Sequence, residues 1–86
     1  MARYFFNVAD HEFSVRDDGG TECFDQDAAL AEALRTLCEV AADQPEKYIH
    51  HPLRIEVLDA SREAVLACEI RLTAVDRAKN CLKAAA

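Results

Sequence analysis

Long apolar runs are missing from this 86-residue chain, and so are the cysteine and glycine spacings that mark common ligand sites. No run approaches the roughly 20 apolar residues that a membrane-spanning helix needs. The four cysteines are widely and irregularly spaced with no C-x-x-C pair, which disfavours a zinc site or a disulfide framework. Gly19 and Gly20 are an isolated pair, and Asp25 and Asp27 at the start of the next predicted helix would repel a phosphate. The sequence therefore predicts no cofactor.

The chain also has fewer basic than acidic residues, with 10 Lys and Arg against 16 Asp and Glu, and its formal net charge is −6. Such a field repels nucleic-acid backbones and anionic membranes, and it attracts a basic protein partner. The pattern of an RNA-binding aromatic platform is missing as well. Because Arg3 leads straight into a strand pattern without a signal peptide, we expect a cytoplasmic protein. There, Cys38 and Cys68 are expected to be small buried hydrophobic residues.

The N-terminal residues predict a hairpin. Residues 3–9 are rich in aromatic and β-branched types, and strand alternation sends Tyr4, Phe6 and Val8 to one face and Phe5 to the other. After a turn at Asp10, residues 13–16 alternate as a short second strand. The run Asp17-Asp18-Gly19-Gly20 then breaks the strand, and residues 21–24 form a short extended connector.

A single long helix is predicted from Gln26 to about Ala42. Asp25 is its N-cap, and Asp27 places negative charge in the first turn, where the helix dipole favours it. The helix is expected to present one apolar stripe to the core, made of Leu30, Leu34, Leu37 and Ala41 flanked by Ala33 and Cys38. Residues 43–52 read as a polar loop containing both prolines.

The C-terminal half predicts a second hairpin. Residues 53–57 and 66–72 alternate cleanly, and the turn between them spans Asp59 to Arg62. We expect Arg54 to lie opposite Glu69, because a shift by two residues would place Arg54 against Arg71. The fold class is therefore α+β, a ββαββ domain over residues 1–73 with an antiparallel sheet of about four strands and one helix on one face. Residues 74–86 form a tail that is compatible with a weak helix or with fraying.

The sheet face away from the helix is the predicted partner surface. If Tyr4 and Phe6 fill the core, Phe5 emerges on this opposite, mostly charged face as a lone large ring. Aromatic residues and arginine are enriched at the centres of protein interfaces, and exposed sheet edges accept added strands. The residues predicted to bind a partner are Phe5, Asn7, Arg54 and Arg71. A homodimer or another homo-oligomer is the expected assembly, since a chain of this size is marginally stable alone.

Catalytic and metal sites are not predicted. His50 and His51 are adjacent, so neither a helix nor a strand points them at one ion. His11, Glu12, Asp17 and Asp18 cluster around turns, but no nucleophile, base and orienting group come together. General acid–base catalysis also needs a sheltered pocket that so small a core hardly encloses. We therefore expect a protein that is not an enzyme.

Several motifs resemble those of a family of small bacterial proteins classed only as a domain of unknown function. The chain has the R-Y-F-F-x-V strand of that family at residues 3–8 and its Arg-Asp-x-x-Gly turn at Arg16, Asp17 and Gly20. The further matches are Glu22, Asp25, Glu32-Ala33-Leu34-Arg35, Arg54-Ile55-Glu56-Val57 and Asp59. Cys23-Phe24 replaces a Leu-Pro, and Ser61-Arg62 stands where a hairpin glycine is usual. The resemblance supports the fold and brings no activity or ligand.

A looser similarity is to antitoxin domains of the HicB type, in which a hairpin also precedes an alanine-rich helix and further strands. Those proteins are acidic modules that cap a basic partner, which suits the charge of −6. Because only about a dozen residues follow the last predicted strand, we expect no appended DNA-binding segment, which counts against this similarity. Two functions are thus predicted, a self-associating, non-catalytic interaction module and, as the alternative, an antitoxin-like or regulatory cap on a small basic protein.

Overall fold

The computed structural model describes residues 1–77 and 81–82. Its elements are β1 (Ala2–Ala9), β2 (Ser14–Val15), β3 (Thr21–Cys23), α1 (Gln26–Asp43), α2 (Lys47–His50), β4 (Leu53–Leu58), β5 (Ala64–Ile70), β6 (Val75–Asp76) and β7 (Cys81–Leu82). The main sheet is antiparallel, with the order β2-β1-β4-β5, and β3 joins β1 as a fifth strand. The predicted α+β class is confirmed.

The first strand is long enough to pair with two short strands in succession. Val8 lies opposite Val15 of β2, and Arg3 lies opposite Glu22 of β3 with an ion pair of 3.2 Å. The segment that was expected to be a connector is therefore a strand, because this cross-strand pair holds it in register on β1. On its other edge β1 pairs with β4, which brings the two hairpins into one sheet.

The β4–β5 hairpin has the predicted register. Arg54 lies opposite Glu69, and its guanidinium donates a hydrogen bond of 3.1 Å to the carboxylate. The turn begins as expected at Asp59, whose backbone N–H donates to the carbonyl of Glu63. A bulge near Val57 and Leu58 shifts the ladder next to this turn, so β5 starts at Ala64 rather than at residue 66.

Helix α1 packs on one face of the sheet with an apolar stripe that overlaps the predicted one only in part. Asp25 caps it as expected, since its carboxylate accepts from the backbone N–H of Ala28 at 2.9 Å. The fully buried positions of the helix are Ala29, Ala33, Leu37 and Ala41. Leu34 is instead 48% exposed and Cys38 is exposed, so both expectations were wrong. The buried stripe repeats every four residues and follows the small alanines, which let the helix approach the sheet closely.

The core lies between α1 and the inner face of the sheet. Leu53, Ile55 and Val57 of β4 are almost completely buried there. Tyr4 belongs to the same cluster, with Phe6 and Val8 packed against it, as the strand alternation predicted. Cys68 is partly buried on this face.

Two segments differ from the expected loop and tail. The polar loop contains α2, a single helical turn that follows Pro45 and buries Tyr48. Where a weak terminal helix was one expectation, β6 pairs with β7. The β-branched Val75 favours extended backbone, and an isolated helix of a dozen residues is marginal. Residues 78–80 and 83–86 of that expected helix lie outside the described residues, and the domain boundary at residue 73 stays a prediction.

In the part of the chain that the structure describes, no helix is long and apolar enough to cross a membrane.

Candidate functional site

A shallow groove crosses the face of the sheet opposite α1. We call it the outer groove, and its lining residues are Asn7, Ala9, Ser14, Arg54, Ile55 and Glu56. Its volume is about 290 Å³. In the strand register Ala9 lies opposite Arg54, and Asn7 lies opposite Glu56. The depression arises because Ala9 has a single methyl group between longer polar neighbours.

Two of the four residues predicted to bind a partner line this groove. Asn7 and Arg54 are there together, while Arg71 is exposed just beyond the end of β5. The described residues offer Arg71 no hydrogen bond or ion pair. Glu56 is also exposed without an ion-pair partner in that part of the chain. The predicted surface is therefore a mixed-charge face, and its contact with a partner stays a prediction.

The expected exposure of Phe5 was wrong, although its position on the outer face was predicted. Phe5 is only 7% exposed, and it lies outside the main core cluster. The guanidinium carbon of Arg62 sits 3.9 Å from the centre of its ring, and Gly20 packs against the ring edge. Leu58 lies opposite Phe5 across the β1–β4 ladder. The ring thus anchors a second, small apolar cluster and is not available as an exposed anchor.

The loop that covers Phe5 is held by the carboxylate of Asp17. This carboxylate accepts hydrogen bonds from the backbone N–H of Phe6 at 3.1 Å and of Gly20 at 3.0 Å. The side-chain oxygen of Asn7 accepts in turn from the backbone N–H of Asp17 at 3.0 Å. Phe6 lies between the part of β1 that pairs with β3 and the part that pairs with β2, so Asp17 satisfies a donor that neither strand reaches. Asn7 therefore has a structural role beside its place in the outer groove.

The outer edge of β5 is the other open surface. No strand pairs with this edge anywhere in residues 1–77 and 81–82. The backbone N–H of Leu72 points inward, because it donates to the carbonyl of Tyr48 at 2.9 Å. Strand alternation then turns the peptide groups of Ala67 and Glu69 outward, away from β4. Sequence reasoning predicted exposed sheet edges in general, but only the strand order shows that β5 is one of them.

A partly buried ion cluster, which sequence reasoning missed, links the β1–β2 turn to α2. The side chain of Asp10 is 0% exposed. It accepts from the amino group of Lys47 and the hydroxyl of Tyr48, both at 2.9 Å, and from the backbone N–H groups of Glu12 and Phe13. Lys47 also contacts the carboxylate of Glu12 at 2.8 Å. Asp10 and Lys47 are 37 positions apart in the sequence, so no local spacing signals the pair.

The electrostatics of this cluster favour a structural role. Burial raises the pKa of Asp10, but the hydrogen bonds from Lys47, from the turn backbone and from Tyr48 outweigh it and hold that pKa far below its usual range. The hydrogen bond to Glu12, and to a smaller extent the one to Asp10, raises the pKa of Lys47. The pKa of Tyr48 is raised mainly by burial and to a smaller extent by its hydrogen bond to Asp10. A carboxylate already occupied by four donors is a poor general base, so the cluster acts as a clamp.

The three histidines come together next to this clamp, which the sequence did not predict. The rings of His11 and His51 stack with their centroids 3.8 Å apart. The His50 ring is tilted relative to the His51 ring, and the centroids of these two rings are 6.5 Å apart. His11 and His51 line a second depression of about 240 Å³ that shares Ala9 and Arg54 with the outer groove. Across the described ranges, no three His, Cys, Asp or Glu side chains are arranged to hold a metal ion.

Cys23 is the buried thiol of the described residues, and no disulfide forms among Cys23, Cys38 and Cys68. Burial raises the pKa of Cys23, and the nearby carboxylates of Glu32 and Glu22 add to this effect. A high thiol pKa keeps the side chain protonated and unreactive at neutral pH. Cys23 therefore packs as a small hydrophobic residue.

The family comparison matches the part of the chain that forms the sheet and helix. A family model described as a domain of unknown function, DUF6894, covers residues 3–71. The chain belongs to this family. No curated protein matches the chain, and no solved structure matches it either. The resemblance expected from the sequence motifs is thus confirmed for a family without an assigned activity.

The motifs that resembled the family have clear positions in this DUF6894 domain. The Arg-Asp-x-x-Gly turn contributes Asp17 and Gly20 to the loop over Phe5. Ser61-Arg62 stands where the family usually has a hairpin glycine, and the backbone there has a conformation that favours glycine, since Arg62 has a φ of 65°. This is the left-handed region that glycine adopts at little cost. Arg62 occupies it while its side chain stacks on Phe5, so the departure from the motif adds a cover to the small apolar cluster.

Proposed function

We propose that this DUF6894 domain is a non-catalytic protein-interaction module that self-associates through the open edge of β5. The observation that carries the proposal is this edge, where Ala67 and Glu69 turn outward peptide groups with which no strand of the described residues pairs. An unpaired strand edge is a template for another strand, because the main-chain hydrogen bonds are already in place.

The side chains next to the edge also favour an added strand. Leu66, Cys68 and Ile70 point to the core side of β5, but they are only partly buried there. A further strand alongside β5 would cover their remaining exposed surface, and burial of apolar area is the main driving force for association. Glu69 and Arg71 lie on the opposite, polar face beside this edge, where they would form the hydrated rim of such a contact.

A proline at position 67 tests the proposal. The N–H of Ala67 points away from β4, so Ala67→Pro removes an outward donor and leaves the β4–β5 ladder intact. We expect the variant to fold, as judged by circular dichroism, and to sediment as a monomer where the natural chain self-associates. Ala67→Thr keeps the N–H and is the matched control, which we expect to self-associate normally. Unchanged association of the proline variant would contradict the proposed edge.

A second candidate function is an antitoxin-like or regulatory cap on a small basic protein. The net charge of −6 favours it, and so does Glu56, an exposed carboxylate in the outer groove with no ion pair among the described residues. A pull-down at low salt from lysate of the natural host tests this candidate. A small basic protein recovered in near-stoichiometric amount and lost on Glu56→Lys would support it, whereas recovery of the bait alone would count against it.

A further inference from the structure

We infer that the strand that adds to β5 is the β5 of a second copy, placed antiparallel about a two-fold axis at Ile70. Glu69 of each chain then lies opposite Arg71 of the other. This inference rests on the proposed self-association and specifies its partner and its register.

Hydrogen bonding restricts the registers that two copies of β5 can adopt. Beyond the bulge near Val65, the outward peptide groups belong to odd-numbered residues, of which Ala67 and Glu69 lie within the strand. An antiparallel ladder must place outward residues opposite outward residues, so the two-fold axis has to pass through a residue and not between two residues. The same condition keeps the apolar faces of both copies on one side of the joined sheet.

Charge then selects among these registers. An axis at Glu69 would place two carboxylates opposite each other, which is unfavourable. An axis at Cys68 brings no opposite charges together. An axis at Ala67 would pair Arg71 only with Glu63, which lies beyond the bulge and outside β5. An axis at Ile70 places Glu69 opposite Arg71 twice, once on each side of the axis.

The charged groups needed for this register are accessible in the single chain. Arg71 is exposed, with no ion-pair partner in the described part of the molecule. The Glu69 side chain is 45% exposed even though it contacts Arg54 at 3.1 Å. The carboxylate can therefore accept from Arg54 of its own chain and from Arg71 of the second copy. Two-fold pairing would build the same three-charge row on both sides of the axis.

The inner face is compatible with the same register. Ile70 would face Ile70 of the second copy, and Cys68 would face Leu72. All three side chains are partly buried against the core of their own chain. The contact is thus apolar on the helix side and ion-paired on the outer side, as expected for an interface with a dry centre and a polar rim.

Charge exchange tests the register with the intact chain. Glu69→Arg alone gives each chain arginines at positions 69 and 71, and Arg71→Glu alone gives each chain glutamates at both positions. Because like charges would then lie opposite each other, each variant should self-associate at least about tenfold more weakly. An equimolar mixture of the two variants should form heterodimers, since every cross-strand pair again joins opposite charges. Native mass spectrometry resolves the two masses and reads out the result. Arg16→Glu on the other edge of the sheet is the control for net charge.

The possible results distinguish the proposed register at Ile70 from the proposed self-association through β5. Heterodimers in the mixture, with weak association of each variant alone, are the expected result. If the natural chain dimerises and both variants dimerise equally well, the register is wrong while association through the edge stands. A natural chain that stays monomeric at every concentration would overturn both.

A disulfide cross-link tests the register independently if a charge variant fails to fold. Residues on the axis of this ladder form a non-hydrogen-bonded pair with Cα atoms about 4.5 Å apart, within the range that a disulfide spans. Ile70→Cys, in a chain whose Cys38, Cys68 and Cys81 are serine, should cross-link into dimers under mild oxidation. Ala67→Cys in the same background is the control and should not cross-link, because its opposite residue would be Thr73. Failure of the Ile70→Cys chain to cross-link would overturn the register.

Discussion

Among single residues, Arg62 combines an unfavourable backbone with favourable side-chain contacts. Its φ of 65° costs a residue with a Cβ roughly 1 kcal/mol. In return its guanidinium stacks on Phe5 and makes long hydrogen bonds, of 3.5 and 3.3 Å, to the carbonyls of Asp17 and Asp18. The pattern of turn residues in the sequence located this hairpin, but it gave no sign that a long side chain would reach back over β1.

Two substitutions at this position separate the two contributions. Arg62→Ala keeps the strained backbone and loses the cover on Phe5, so we expect a loss of about 1 kcal/mol in the free energy of unfolding. Arg62→Gly loses the same cover but relieves the backbone, and it should be more stable than the alanine variant by about 1 kcal/mol. Urea unfolding of both variants measures the difference. Equal stability of the two would show that the backbone at this position carries no strain.

Asp10 gives the molecule a dependence of stability on acid. Because its pKa is lower in the folded chain than the roughly 3.9 of an unfolded aspartate, its interactions stabilise the fold fully above that value. The stabilisation is lost as the pH falls towards the folded pKa, where the carboxylate is protonated. Asp10→Asn should therefore lower Tm at pH 7, and its difference from the natural chain should shrink below about pH 4.

Thermal unfolding between pH 2 and pH 7 measures this difference. Asp18→Asn removes an exposed carboxylate and is the control for the loss of one negative charge. A Tm difference for Asp10→Asn that stays constant down to pH 2 would contradict the role given to the clamp.

At the scale of elements, the loop over Phe5 depends on one of its two glycines. Gly20 has a φ of 73°, and a Cβ there would come within 2.9 Å of the carbonyl oxygen of Tyr4. A Cβ on Gly19 would meet nothing within 4 Å. The Gly19-Gly20 pair was predicted only as a breaker, because glycine content shows that a turn is favoured but not which residue contacts the neighbouring strand.

The two glycines provide a matched pair of substitutions. Gly20→Ala combines a left-handed backbone with a clash against β1, so it should destabilise the domain by about 2 kcal/mol or more. Gly19→Ala should change stability by less than about 0.5 kcal/mol. Chemical unfolding of the two variants gives both values. Similar losses for both would mean that the loop does not pack on β1 through Gly20.

Helix α1 shows how far an apolar pattern predicts packing. Its start at Asp25 and its length followed from capping and from the absence of Gly and Pro. The predicted face was right at Ala33, Leu37 and Ala41 but wrong at Leu34, because large side chains were assumed to reach the core before alanines. Leu37 is 2% exposed whereas Leu34 is 48% exposed, so close packing of Ala29 and Ala33 decided the orientation.

At the scale of the whole molecule, the sequence predicted the α+β fold, the second hairpin and the pairing of Arg54 with Glu69. These depend on alternation and on charges that lie opposite each other, which are local or nearly local signals. The order of the strands, the pairing of β3 with β1 and the Asp10–Lys47 clamp depend on contacts between distant residues. Their sequence spacing carries no period, so only the structure shows them. The same holds for β5, whose position at the edge follows from strand order.

Amide hydrogen exchange at the edge of β5 reports directly on self-association through that edge. The N–H groups of Ala67 and Glu69 have no partner strand in the part of the single chain that the structure describes, and self-association through this edge would give them one. Residue-resolved exchange of the natural protein should therefore show these two amides becoming protected as the protein concentration rises. The amide of Gly19, in the exposed loop, is the control and should exchange at a constant rate. Exchange of Ala67 and Glu69 that is equally fast at every concentration would contradict self-association through β5.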